Sequence, residues 1–361
     1  MIGAVRAHAA AAAIAVALLA SARPGAQTAV REERIALEVR GGSVTGTLVV
    51  PAGKRPALVL IVGGSDATSK ALAEALAQDG IASVRAADAV ATVGVRPGSD
   101  GGQTGVRPWS DPTDPAAWIV QLRNDPRWSS ITVAGHGEHA LAGILAARAA
   151  RADAFVSIAA TTAPIGGYTP AVELARLTIP AIALPEDAGT AAGVTKFVRA
   201  LKPPRHPEGE RRSPRTLLMT EAAGCRLAIE YGRLSKRGRE IWGALVPFDK
   251  WWTPGADEAP VLTTSETIAF GELVVPAGDY TLYTVPGAER FSLVINRELG
   301  VYHTTYRPES DLGRIPMTMT PASATIEQLT FGVTPSADGG TLTLAWDDRE
   351  YGAAFVVKRS R

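Results

Sequence analysis

The stretch that decides the fold is Ile131-Thr132-Val133-Ala134-Gly135-His136-Gly137-Glu138-His139. Ile131 to Val133 read as a short buried strand, and the glycines mark a sharp turn. The alanine-rich run from His139 to Ala150 then reads as a helix. A side chain at the apex of such a turn stands above the sheet, beside backbone N–H groups at the helix start. That is why the apex suits a nucleophile. Here the apex is Gly137, which has no side chain.

The same alternation extends to both sides. Leu58 to Val62 reads as a strand ending at Gly63-Gly64, and Thr68 to Ala77 as a helix with Leu72 and Leu76 on one face. Ile81 to Val84, Ala154 to Ile158 and Ala181 to Leu184 read as further strands. Asp114-Pro115 starts a helix through Trp118 to Leu122, and Ala191 to Leu201 form another. Strands alternating with helices predict βαβ units and a parallel sheet. Ile35, Leu37 and Val39 alternate instead, so residues 35–50 read as an antiparallel lead-in. Residues 92–114, rich in Gly, Pro, Asp and Ser, read as a long loop.

Residues 202–215 are rich in proline and charge. They read as a solvated linker, with 202–212 as its span. Beyond it the period changes to two. Phe291, Leu293 and Ile295 alternate with Ser292, Val294 and Asn296, and Leu329, Phe331, Val333 and Leu342, Leu344, Trp346 repeat the pattern. Pro276 to Asp279, Pro286-Gly287 and Asp338 to Gly340 separate these runs as turns. The second half is therefore predicted to be an antiparallel β-sandwich.

The chain has 361 residues, enough for two cores, and its net charge of +1 excludes recruitment of nucleic acid by a global field. Arg6 precedes an uncharged run from Ala9 to Ala20, and small residues follow at Ala20-Ser21-Ala22 and Pro24-Gly25-Ala26. Residues 1–26 thus read as a secretory signal peptide, and a secreted or periplasmic location is expected. No integral membrane segment is expected after its removal. The single cysteine, Cys225, rules out an intramolecular disulfide and reads as a small buried hydrophobe. High alanine content reads as GC-rich coding as much as function.

On these residues the segment 27–201 resembles a shortened α/β-hydrolase. Gly63-Gly64 falls where that family has its oxyanion loop. Val84-Arg85-Ala86-Ala87-Asp88 resembles the strand leading to its Arg-Gly-rich turn, and Ala134 to His139 resembles its Ala-Gly-His-Ser-Glu-Gly. The resemblance places the triad acid near Asp187. It also exposes departures. Gly137 stands for the serine, His139 for the final glycine, and no strand precedes His206 to carry a triad histidine. Ser65 and Ser69 read as helix caps rather than rival nucleophiles. No conventional serine-hydrolase activity is expected. Two readings of His136, Glu138 and His139 stay open: they fill a vanished active site, or they serve a non-standard, metal-assisted hydrolase. Zinc takes three or four ligands and no spaced third is evident, so neither a metal nor a cofactor is assigned.

Residues 213–361 carry Tyr231-Gly232-Arg233, Lys236 to Gly243, Leu245-Val246-Pro247, Trp251 to Ala259, Pro276 to Tyr283 and Asn296. These resemble a secreted bacterial family known as domain of unknown function 2911. Thr253 and Asp257 stand where its members usually have arginine and asparagine. The resemblance implies no reaction. Arg233, Arg237, Arg239, Trp242, Trp251, Trp252, Asp257 and Glu258 are the candidate binding residues. Arginine, tryptophan and carboxylate together suit a flat polar ligand such as a sugar or a peptide, or else a structural cluster of stacked and ion-paired groups. Tyr302, His303, Tyr306 and Asp311 read as a polar aromatic loop. The expected partner is a small molecule, a glycan or an envelope protein.

Overall fold

The computed structural model describes residues 30–39, 42–86, 113–165, 168–202, 208–288 and 290–358. The predicted signal peptide, His206 and most of the loop at 92–114 lie outside these residues.

Among the described residues, the first half builds a seven-stranded sheet in the order β1-β2-β4-β3-β5-β6-β7. Its strands are β1 (Arg31–Val39), β2 (Gly42–Val50), β3 (Leu58–Val62), β4 (Ala82–Arg85), β5 (Ile131–His136), β6 (Ala154–Ile158) and β7 (Ala181–Leu184). β1 and β2 pair antiparallel, as does β2 with β4, and β4-β3-β5-β6-β7 is parallel. This is the α/β architecture with the predicted antiparallel lead-in.

Helices cover both faces because side chains alternate along each strand. Leu58, Leu60 and Val62 point to a layer of α2 (Thr113–Arg123) and α3 (Ala140–Ala149), whereas Val59 and Ile61 point to α1 (Asp66–Gln78) and α5 (Thr190–Ala200). A six-residue helix, α4 (Pro170–Ala175), precedes β7.

α3 is buried at every residue but Leu145, which is partly covered. A helix apolar all round must be covered all round. The sheet covers one side, and the second half of the chain packs on another through β9 (Cys225–Gly232). Alanine content therefore has a packing cause here: small side chains let α3 sit between two sheets.

Among the described residues, the second half forms a nine-stranded antiparallel sheet in the order β12-β11-β16-β15-β14-β13-β10-β9-β8. The remaining strands are β8 (Arg215–Ala222), β10 (Val261–Thr264), β11 (Thr267–Phe270), β12 (Leu273–Val275), β13 (Gly278–Pro286), β14 (Phe291–Asn296), β15 (Asp311–Pro335) and β16 (Gly339–Lys358). The layers of the predicted sandwich are joined rather than separate. The first part of β15 pairs with β14 and the rest with β16, through register shifts between Pro321 and Thr330. Bulges of this kind bend a sheet. The bend brings Ser235, just past β9, into a bridge with Gln328 of β15. One core results, with Leu227, Ile229, Leu293, Phe331, Leu344 and Trp346 at its centre. Cys225 is fully buried, 3.2 Å from Thr264 Oγ1.

The two halves touch along α2 and α3. Asn124 accepts from Arg215 N at 2.7 Å and donates to Arg215 O at 3.0 Å. Leu217 and Met219 of β8 pack on the α2–α3 core. Arg148 of α3 reaches Asp279 of β13 at 3.0 Å, with Glu173 at 3.9 Å.

Candidate functional site

The turn after β5 keeps the shape of a nucleophile elbow. β5 runs through His136, and Gly137–His139 form a single 3₁₀ turn before α3. Gly137 has φ +58°, the left-handed region that costs an L-residue energy. A Cβ built there would meet nothing within 4 Å. Gly135 is needed for another reason: a Cβ there would lie 2.8 Å from Ala140 Cα and 3.0 Å from Phe155 Cζ. The helix could not approach the strand over any larger residue.

The space beside the elbow is filled. A Cβ on Gly63 would collide with the His139 imidazole, and His136 lies beside Gly64. Burial pushes the His139 pKa below the ordinary imidazole range; Glu138 opposes this and His136 adds to it. His139 is also hydrogen-bonded to the backbone of His136. His136 Nε2 stands 3.2 Å from Glu186 Oε1. The acid that follows β7 and faces the elbow is thus Glu186. Asp187, the residue the hydrolase resemblance points to, instead accepts from Gly189 N at 2.7 Å and closes a local turn. Ser65 caps α1, accepting from Thr68 N, and buried Ser69 donates to Asp66 O. Among the described residues no group of three or more His, Cys, Asp or Glu is placed to hold a metal ion.

In the second half the Arg–Trp stretch is dispersed. Trp242 is in the core, edge-on to Phe291 and Tyr351. Trp252 stacks on fully buried Trp346 at 5.9 Å. Arg233 donates to Thr330 Oγ1, Arg237 to the Arg212 carbonyl, and Arg239 to the Ser235 and Lys236 carbonyls. These three arginines fasten backbone and a strand hydroxyl.

Asp257 and Glu258 meet arginines from the segment expected to be a solvated linker. Arg211 reaches Asp257 Oδ2 at 2.9 Å and Glu258 Oε1 at 2.8 Å, with its side chain only 2% exposed. Arg215 is fully buried, bidentate on Glu230 and hydrogen-bonded to the Glu258 carbonyl. The reading of Arg211 and Arg215 as solvated is corrected: their carboxylate partners lie further along the chain, within the second half. Burial alone would raise the Glu258 pKa, yet Arg211 and Arg215 reverse this and hold it at about 2. Asp257 has φ +60°, which Asp and Asn tolerate better than other L-residues.

Trp251 is the exposed member, at 40%. It lies edge-on to Tyr283 with centroids 6.1 Å apart, and tilted on Tyr306 at 5.3 Å. Tyr306 donates to Asp311 Oδ2 at 2.7 Å, and buried Asn296 donates to Asp311 Oδ1 at 2.9 Å. Tyr283, buried and facing Glu298, Tyr306 and Asp311, has its pKa pushed up to about 12. Sequence reading marks the loop of Tyr302, His303, Tyr306 and Asp311 but does not join it to Trp251, because the contact spans some fifty residues. His303 is half-buried, with its ring on the Asp257 carbonyl.

The fold defines the first half as an α/β domain of hydrolase-like build. Solved structures similar to it include XC6422 from Xanthomonas campestris, a serine hydrolase without a lid, at 17% identity and TM-score 0.35, covering 52% of this chain and all of that one. An α/β serine hydrolase homologue from Coxiella burnetii is similar at 15% identity and TM-score 0.33, covering 47% and 97%. Est1E from Butyrivibrio proteoclasticus is similar at 15% and 0.30, covering 46% and 96%. Residues 213–355 match the family model described as protein of unknown function, DUF2911, so the second half carries that domain. No curated protein matches the chain.

Proposed function

We propose that this is a non-hydrolytic recognition protein: its α/β half is a frame, and its antiparallel half carries the binding surface. The observation that supports this reading is the elbow. Gly137 holds the strained apex conformation with no group to attack a carbonyl. His139 fills the space over Gly63, where a hydrolase needs room for an oxyanion. His136 is engaged with Glu186, so the nearest imidazole–carboxylate pair faces a residue that has no proton to give. The exposed aromatic surface at Trp251 supports placing recognition in the other half. The charge and apolar pattern of residues 6–26 supports work outside the cytoplasm.

The test is the purified chain against a panel of p-nitrophenyl esters and a fluorophosphonate probe. The expected result is neither turnover nor labelling. Turnover that one substitution abolishes would overturn the proposal.

A further inference from the structure

We infer that the Trp251 face binds a neutral, β-linked pyranose chain. The inference rests on the antiparallel half being the binding half. It starts from Trp251, which leaves 40% of its surface in water while its neighbours hold it still. Tyr283, fully buried, meets the indole at 88°, and Tyr306 flanks it at 37°. Tyr283 is itself tied to the Thr305 carbonyl at 2.8 Å. A large flat ring that is exposed but already ordered loses little freedom on binding.

The surroundings select the ligand. Tyr306 joins the indole to a polar group: its ring touches Trp251, and its hydroxyl touches Asp311 at 2.7 Å and Arg314 at 3.4 Å. Carboxylate, phenol and guanidinium together match the vicinal hydroxyls of a sugar, and the negative face of the indole attracts its axial C–H groups. A β-linked pyranose with equatorial hydroxyls presents such a C–H face. Two carboxylates of this surface are already paired with arginines. Arg307 pairs with Glu298, and Arg314 stands 3.7 Å from Asp311. A neutral ligand fits that pairing better than an anionic one.

The test uses the full chain, titrated with cellohexaose, chitohexaose, an oligogalacturonate and a mixed peptide pool, followed by calorimetry and tryptophan fluorescence. One or both neutral hexasaccharides are expected to bind. Trp251→Ala should weaken that binding roughly tenfold or more, the loss expected for one aromatic stack. Trp251→Phe should retain most of it. Tyr306→Phe keeps the ring, removes the hydroxyl and should weaken binding severalfold, which covers the case of a poorly folded alanine variant. Met319→Ala, exposed on β15, should change nothing. Failure of both neutral sugars to bind, or equal binding by wild type and Trp251→Ala, overturns the inference, as does binding of the oligogalacturonate alone. Peptide binding lost in Trp251→Ala would remove the sugar assignment while keeping the binding role of this half. If no probe binds, the inference falls along with the evidence for that role.

Discussion

Replacing Arg148 by methionine would cut the ion pair that crosses from α3 to β13. The methionine keeps most of the side-chain volume, so the loss is electrostatic. Arg148 and Asp279 are 8% and 2% exposed at the side chain, so the Asp279 carboxylate would stay buried without its partner. Breaking a buried pair from one side costs about 3–5 kcal/mol. Unfolding entropy is about 2.1 cal/mol/K per residue, hence about 0.8 kcal/mol/K for a chain of this length unfolding as one unit. The melting temperature should then fall by about 4–7 °C, in a single transition, by scanning calorimetry. If the halves unfolded separately, the same loss would move one of two transitions by about twice as much. The double variant Arg148→Met with Asp279→Leu should recover most of the loss, because the Asp279 charge is gone and buried Glu173 keeps its pair with Arg176 at 2.7 Å. A fall of less than about 1 °C in the single variant would refute the reasoning, since an unpaired buried carboxylate could not cost so little.

Glu258 gives a pH test. Its folded pKa of about 2 lies below the ordinary 4.5, so its contribution is full above pH 4.5 and disappears as pH falls toward 2. The shift corresponds to about 3 kcal/mol. Glu258→Gln should flatten the acid limb of the stability curve measured by urea unfolding across that window; an unchanged limb would count against the Arg211 and Arg215 pairs. Gly137→Ser should gain no fluorophosphonate labelling and should lose about 1–2 kcal/mol of stability from its positive φ. Gly63→Ala should destabilise the chain by about 2 kcal/mol or more through strain and overlap with His139. His139→Ala should restore part of that loss, and a purely additive double-mutant cycle would show that the two do not touch.

Much of the α/β half was legible because its signals are local. Leu58 to Val62, Ala154 to Ile158 and Ala181 to Leu184 are strands with the bounds read from sequence. α4 escaped because six residues are too few to display a helical period. The candidate site was less legible. Trp242, Trp251 and Trp252 are close in sequence, but one fills the core, one stacks on Trp346 and one faces water. Arg211 and Arg215 sit in a run of Pro and charge that reads as wet, and only the fold brings Glu230 and Glu258 to them. Glu186 rather than Asp187 faces the elbow because adjacent residues leaving a strand point to opposite sides.

The seam along α2 and α3 also bears on how the chain can be divided. A cut within 202–212 respects the change of pattern in the sequence but not the folded boundary. It would strip the α2–α3 layer of its cover from Leu217 and Met219 and leave Asp279 facing solvent without Arg148. A fragment starting after Arg211 would also lack the cation that holds Asp257 and Glu258. Fragments made at that cut would expose sticky, charge-mismatched faces, so poor solubility in them would report on the cut rather than on either half.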